Sequence, residues 1–168
     1  LTILVNPHFT YHAAPTGKGI ISKERFTVSL NIALAIIALG VSAYTAFSFF
    51  KAGKFKATAS AETMIQAGFG WIEPISFGLV GLIAWLEIAG AVGVILAPIV
   101  AYALPGFAWL QWVGVAAAVG LALTMVGAAW VHIARKEFAY TWKMNVSLFS
   151  WAVSAAAFQA AVVLPLFV

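Results

Sequence analysis

The chain has 168 residues, of which 64% are hydrophobic and 8% charged, with a mean hydropathy of +1.02; soluble domains carry about 25% charged residues, so an ordinary cytosolic globule is excluded. It contains no cysteine, which excludes disulfides, thiolate zinc sites and cysteine-held iron–sulfur clusters within the chain. The formal charge of +4 is gathered in short runs at the ends of apolar stretches, where lipid headgroups attract cations. Such runs do not make the water-facing basic surface that nucleic acid requires.

Residues 1–25 hold Pro7, Pro15, Gly17 and Gly19 without a sustained period and read as an irregular arm outside the membrane. His8 and His12 lie in this arm, flanked by Pro7 and Pro15, and read as solvated or partner-facing, because the arm offers too few ligands for a metal. The first span is placed over 26–50, with Ser22 as a helix cap and Lys51, Lys54 and Lys56 closing it by reaching to headgroups. Gly40, Ser42, Ala43 and Ala46 give this span a side small enough for close helix contact. The following SAETMIQAGFGW predicts a short helix at the interface: Ser60 caps it, Glu62 suits its first turn, and Gly68 ends it. Met64, Ile65 and Phe69 supply its apolar side.

A second span is placed over 75–96, between Pro74 and Pro98, with Trp71 as an interfacial anchor. The uncharged connection APIVAYALPGFA, with Pro98, Pro105 and Gly106, reads as a tight turn that makes its flanking spans antiparallel. The third span, 109–133, has no Lys, Arg, Asp or Glu; as a helix it reaches roughly 37 Å, enough to cross about 30 Å of hydrocarbon. Arg135, Lys136 and Glu137 follow it, and the fourth span, 144–167, begins after Lys143. The predicted fold is therefore an all-α membrane protein, a four-transmembrane-helix antiparallel bundle over 26–168 behind an irregular N-terminal arm, with both termini on one side. The connections after spans one and three carry more Lys and Arg than the other side, so the positive-inside rule places them in the cytoplasm and both termini outside, in the plasma membrane of a bacterial cell.

Glu87, in WLEIAG, falls near the middle of the second span, where an ionised carboxylate costs several kcal/mol. It must be protonated, paired or beside water. The cations of the chain cluster at the membrane surfaces, so Ser42, Thr124 and Ser154 are its expected partners, with the carboxyl neutral and donating. Three roles stay open: a polar clasp between helices, a proton or quinone site, and a contact with another subunit. His132, at the basic end of the third span, is expected to pair with Glu137 or Glu73 or to cap its helix; standing alone, it does not supply a bis-histidine haem. The rows Ser147, Ser150, Ser154, Ala157, Ala161 and Gly120, Thr124, Gly127 read as helix-packing faces. No nucleophile with a neighbouring base, no phosphate loop and no metal-ligand set is present, so no catalytic residue, metal or intrinsic cofactor is predicted. Seven Trp and thirteen Phe exceed what a small bundle encloses and point to a partner surface.

The run from Trp71 to Glu137 resembles the DoxX-like integral membrane family: a glycine-rich second span containing a glutamate, a proline-bearing turn, a third span rich in Ala, Gly and Leu, and a closing His with basic residues and Glu. WKMNVSLF is similar to the family's approach to its last helix, with Lys143 and Asn145 at the matching places. The resemblance covers Phe26 to the C-terminus and rests on Glu87, His132, Arg135, Glu137, Lys143 and Asn145; it implies a four-helix membrane bundle. Members are tied by name to quinone-linked and terminal-oxidase complexes, so it also implies a non-catalytic accessory subunit of a larger membrane assembly, with a respiratory complex as host. The expected partners are then the bilayer and other membrane subunits, with bound lipid or quinone. A quinone-interacting subunit in which Glu87 and His132 relay protons is the alternative. A small-solute transporter is disfavoured, since no pair of broken helices marks an inverted repeat.

Overall fold

A computed structural model describes the backbone of residues 17–163 and the side chains of 29–162, Asn31 and Pro105 excepted. Five α-helices account for most of it: α1 (Gly17–Thr58), α2 (Ala61–Gln66), α3 (Phe77–Ala103), α4 (Leu110–Ala134) and α5 (Phe138–Val163). Helices α1, α3, α4 and α5 each contain a stretch long and apolar enough to cross a membrane. Each packs on two neighbours, in the cyclic order α1, α3, α4, α5 and back to α1. The result is a square bundle in which successive spans run antiparallel.

The inward faces follow a spacing of three and four. On α1 the buried stripe is Ala38, Ser42, Thr45, Phe49, Gly53 and Lys56; on α3 it is Val80, Ala84, Glu87, Ala91, Val94 and Ala101. That repeat keeps one seam of each helix facing its neighbours along the whole span. Phe49, Ala91, Leu121, Met125 and Ala152 form one core cluster, and Val94, Ala118 and Ala155 form another toward the opposite end. Small residues set the spacing. A Cβ on Gly53 would stand 2.8 Å from the Ala84 carbonyl oxygen, and one on Gly90 would meet the Leu121 side chain at 2.7 Å.

Exposed Trp112 and Trp130 are separated on α4 by about 27 Å at 1.5 Å per residue, close to the hydrocarbon thickness of a bilayer. Such a separation fits two interfacial belts. Mid-height between them falls at Leu121, level with Gly90 and the Phe49 cluster.

Several boundaries differ from the sequence expectations. Helix α1 begins at Gly17, so 17–25 is helical rather than part of an irregular arm, and Ser22 lies inside the helix rather than capping it. The preceding residues, with His8 and His12, lie outside the described range. Helix α3 does not stop before Pro98 but continues to Ala103. Proline there removes the N–H that would bond Val94, a penalty that usually ends or kinks a helix. Here the Gln159 side chain, from α5, donates from Nε2 to the freed Val94 carbonyl at 2.9 Å. The packing rows also differ: Ser147, Ser150, Ala157, Gly120 and Gly127 are exposed. Asn145, Ala152, Ala155 and Gln159 form the buried stripe of α5 instead.

The two connections at the basic end are shaped by caps. Ser60 accepts from the Thr63 N–H at 3.2 Å and starts α2. Gly68, at φ +90°, ends it while Phe69 N–H returns to the Met64 carbonyl at 2.9 Å, the Schellman arrangement. Met64, Ile72 and Val80 are buried together beneath this segment, whereas Ile65 is exposed. Helix α4 ends in the same way, with Lys136 at φ 61° and Glu137 N–H bonded to the His132 carbonyl at 2.8 Å.

Candidate functional site

Glu87 and Lys56 form an ion pair inside the bundle. Lys56 Nζ donates to Glu87 Oε1 at 2.6 Å, and both side chains are buried. The helix geometry directs this contact. A Cα–Cβ bond tilts toward the N-terminus of its own helix, which sends Lys56, near the end of α1, back into the bundle. The same tilt sends Glu87, in the first half of antiparallel α3, toward it. Gly53, one turn before Lys56, lets α1 approach the Ala84–Ile88 segment closely enough for the two to meet. Glu87 Oε2 makes no hydrogen bond among the described residues.

Two expectations about Glu87 are corrected. Its partner is not Ser42, Thr124 or Ser154 but a lysine expected to reach outward to headgroups. It also sits not at mid-height but nearer the basic end, the eleventh residue of a 27-residue helix, at the level of Gly53 and between the exposed Lys51 and Lys54. The three hydroxyls have other surroundings. Ser42 accepts from Gln159 Nε2 at 2.8 Å, and Thr124 donates to the Leu121 carbonyl of its own helix at 2.7 Å. Ser154 is half-buried and makes no side-chain hydrogen bond among the described residues.

A second polar cluster stands at the same end. The Schellman turn at Lys136 folds Glu137 back over the end of α4, where Glu137 Oε1 accepts from Arg135 Nε at 2.7 Å and Oε2 stands 3.1 Å from His132 Nδ1. Arg135 Nη2 also approaches Glu73, ahead of α3, at 3.8 Å. The Arg135 hydrogen bond, and after it that of His132, hold the Glu137 carboxyl below the usual carboxylate range against the opposing effect of burial. His132 therefore meets Glu137, one of its expected partners. Asn145 is buried and donates to the Thr141 carbonyl at 3.1 Å, while Lys51, Lys54, Lys136 and Lys143 are exposed.

The sequence reading missed Gln159, Thr45 and Gln111. Gln159 joins Ser42 of α1, Val94 of α3 and its own α5, and Gly114 supplies the room, since a Cβ there would collide with Gln159 Oε1. Thr45 Oγ1 donates to the Val41 carbonyl and also lies 3.1 Å from the Trp151 carbonyl of α5. The signal for these residues was their place on the buried stripes, each three or four positions from an apolar or small inward residue. Chemically the arrangement is a set of clasps between helices. Among the described residues no three His, Asp or Glu side chains stand close enough to share a metal ion.

Comparison with known families shows that the model of the DoxX-like family matches residues 40–158, which takes in the C-terminal part of α1, all of α2, α3 and α4, and most of α5. No curated protein and no solved structure matches the chain.

Proposed function

For this chain, which belongs to the DoxX-like family, we propose a role as a non-catalytic accessory subunit of a larger membrane assembly, with a respiratory complex of the quinol- or cytochrome-oxidase type as host. The observation that carries this reading is a polar-tipped aromatic pair facing outward at mid-height. Tyr44 of α1 and Trp151 of α5 have ring centroids 4.5 Å apart and are 48% and 36% exposed. Neither the Tyr44 hydroxyl nor the Trp151 indole N–H has a hydrogen-bond partner among the described residues. Trp151 is next to Ala152, which belongs to the mid-height cluster, so both groups face the part of a bilayer that offers no acceptor. Tyr and Trp normally lie at the headgroup level. A neighbouring protein would supply the missing acceptors and cover the face between α1 and α5.

The interior supports the same reading. Lys56 and Glu87, Gln159 with Ser42 and Val94, and Thr45 with Trp151 tie one helix to another, which suits a rigid structural unit. The basic end, with Lys51, Lys54, Arg135, Lys136 and Lys143, is assigned to the cytoplasm by the positive-inside rule. The test is purification of the tagged chain from its native membrane in mild detergent, followed by mass spectrometry. Oxidase or quinol-complex subunits are expected at fixed stoichiometry, and the Tyr44→Leu, Trp151→Leu double variant is expected to lose them while its own melting temperature stays within about 2 °C, under 1 kcal/mol for a chain of this size. Recovery of the parent chain only as free protein overturns the proposal.

A further inference from the structure

At the end of the bundle away from Glu87, the last turns of α3 stand apart from the outer half of α1 and leave a cavity of about 600 Å³. It is independent of the Tyr44–Trp151 face. Its volume lies within the range of small-molecule sites, about 300–1,000 Å³. The walls are apolar, with Ile36 and Ala38 from α1 and Ile99 from α3. Ile36 and Ile99 are also exposed, so the mouth opens sideways into the lipid region. Tyr102 stands at the rim on the last turn of α3, 90% exposed.

Two polar side chains line this apolar space. Ser42 accepts from Gln159 through its oxygen, which leaves its own O–H free to donate. Gln111, on the first turn of α4, is only 8% exposed and lines the cavity, and its carboxamide makes no hydrogen bond among the described residues. An amide without a protein partner is costly in an apolar setting, and Gln111 is among the residues that line a space open to membrane-dissolved molecules. No Lys, Arg, His, Asp or Glu is among the described lining residues. A phosphate or carboxylate headgroup would be buried there without a counter-charge, which is far more costly than burying a neutral oxygen.

We propose that this cavity binds a neutral, membrane-dissolved lipophile through one carbonyl or hydroxyl oxygen, which enters between α1 and α3, meets the Gln111 carboxamide and the Ser42 hydroxyl, and leaves its hydrocarbon body against Ile36 and Ile99. A carbonyl accepts from Gln111 Nε2 and the Ser42 O–H; a hydroxyl can also donate to Gln111 Oε1. A quinone ring and a long-chain alcohol share this chemistry.

The test uses the full chain in lipid nanodiscs with three photoactivatable diazirine probes: a long-chain primary alcohol, a benzoquinone with a saturated tail, and an alkane of matching length. Adducts are mapped by mass spectrometry. Saturable labelling at Ile36, Ile99 or their neighbours by the alcohol, the quinone or both, competed by the unlabelled compound and well above the alkane, supports the site and identifies the source. Gln111→Leu, which keeps the volume and removes the amide, is expected to weaken the competing compound by roughly fivefold, equivalent to about 1 kcal/mol. Ala38→Phe, which fills the cavity, is expected to abolish saturable labelling, with the melting temperature of each variant measured alongside. Labelling by the alkane equal to that by both oxygenated probes, labelling unchanged in Gln111→Leu, or no saturable labelling in the parent chain overturns the proposal.

Discussion

Replacing Lys56 with Met tests whether the inward lysine holds Glu87 in place. At 2.6 Å the attraction between the two charges is about 6 kcal/mol for an effective dielectric constant near 20. Withdrawing each ion from water costs several kcal/mol, so the intact pair contributes little net stability. Removing one partner has a much larger effect. Lys56→Met retains the buried stem volume but leaves Glu87 Oε1 without its donor, alongside an Oε2 that already has no partner among the described residues. Breaking a buried pair in this way costs about 3–5 kcal/mol, and protonation of the stranded carboxyl brings the expected loss to the lower end, about 3 kcal/mol. For a chain of this size each kcal/mol shifts the midpoint by about 2–4 °C, so thermal unfolding in detergent should show a drop of roughly 6–12 °C. The double variant Lys56→Met, Glu87→Leu removes both charges and is expected to return to within about 1 kcal/mol of the parent. A single variant as stable as the parent, or a double variant no better than the single, would refute the reasoning.

Four further outcomes are expected. Gly53→Ala forces a methyl against the Ala84 carbonyl oxygen and the Ile88 side chain and should cost about 1–3 kcal/mol, read as a lowered melting temperature. Gln159→Leu should destabilise the bundle by about 2 kcal/mol, since the Val94 carbonyl and the Ser42 oxygen both lose their donor; adding Pro98→Ala, which restores an N–H for Val94, should recover part of that loss in a double-mutant cycle. Lys136→Gly relieves the left-handed φ of 61° and should raise the melting temperature by an amount equivalent to about 0.5–1 kcal/mol. For Glu137, a folded carboxyl held below the ordinary range contributes stability that is present above that range and lost as pH falls through the lowered value. The stability difference between the parent and Glu137→Gln should therefore stay constant near neutrality and shrink under acid titration; a difference that grows toward low pH would contradict the sign.

The number and order of the spans were legible, though not all their bounds, because lipid makes two demands on a sequence, sufficient apolar length and charge at the ends. Ser60, Glu62 and Gly68 likewise marked the short helix α2 by capping chemistry that is local to the chain. Glu87 stood out for its depth, but its partner did not. Position along the chain gives the height of Lys56 and not the direction of its side chain, and height alone favours a headgroup. The direction was encoded in the spacing of Thr45, Phe49, Gly53 and Lys56, which places the lysine on the seam that carries the small and apolar contacts. Pro98 misled for a related reason. The proline rule describes an isolated helix, and the group that overrides it, Gln159, is 61 positions away and two helices later. The serine row of α5 shows the limit of counting small residues: Ser147 and Ser150 are exposed, while Ala152 and Ala155 make the contact.

The glutamine bridge over Pro98 also has a bearing on biogenesis. When α3 leaves the ribosome its Val94 oxygen has no donor within its own segment, and it stays so until α5 has been synthesised and inserted. The hairpin of α3 and α4 is therefore a provisional structure during synthesis, with α5 acting as a latch. Stalled chains released before Gln159 would display an open acceptor to the insertion machinery and to quality-control proteases, whereas insertion of α5 would conceal it.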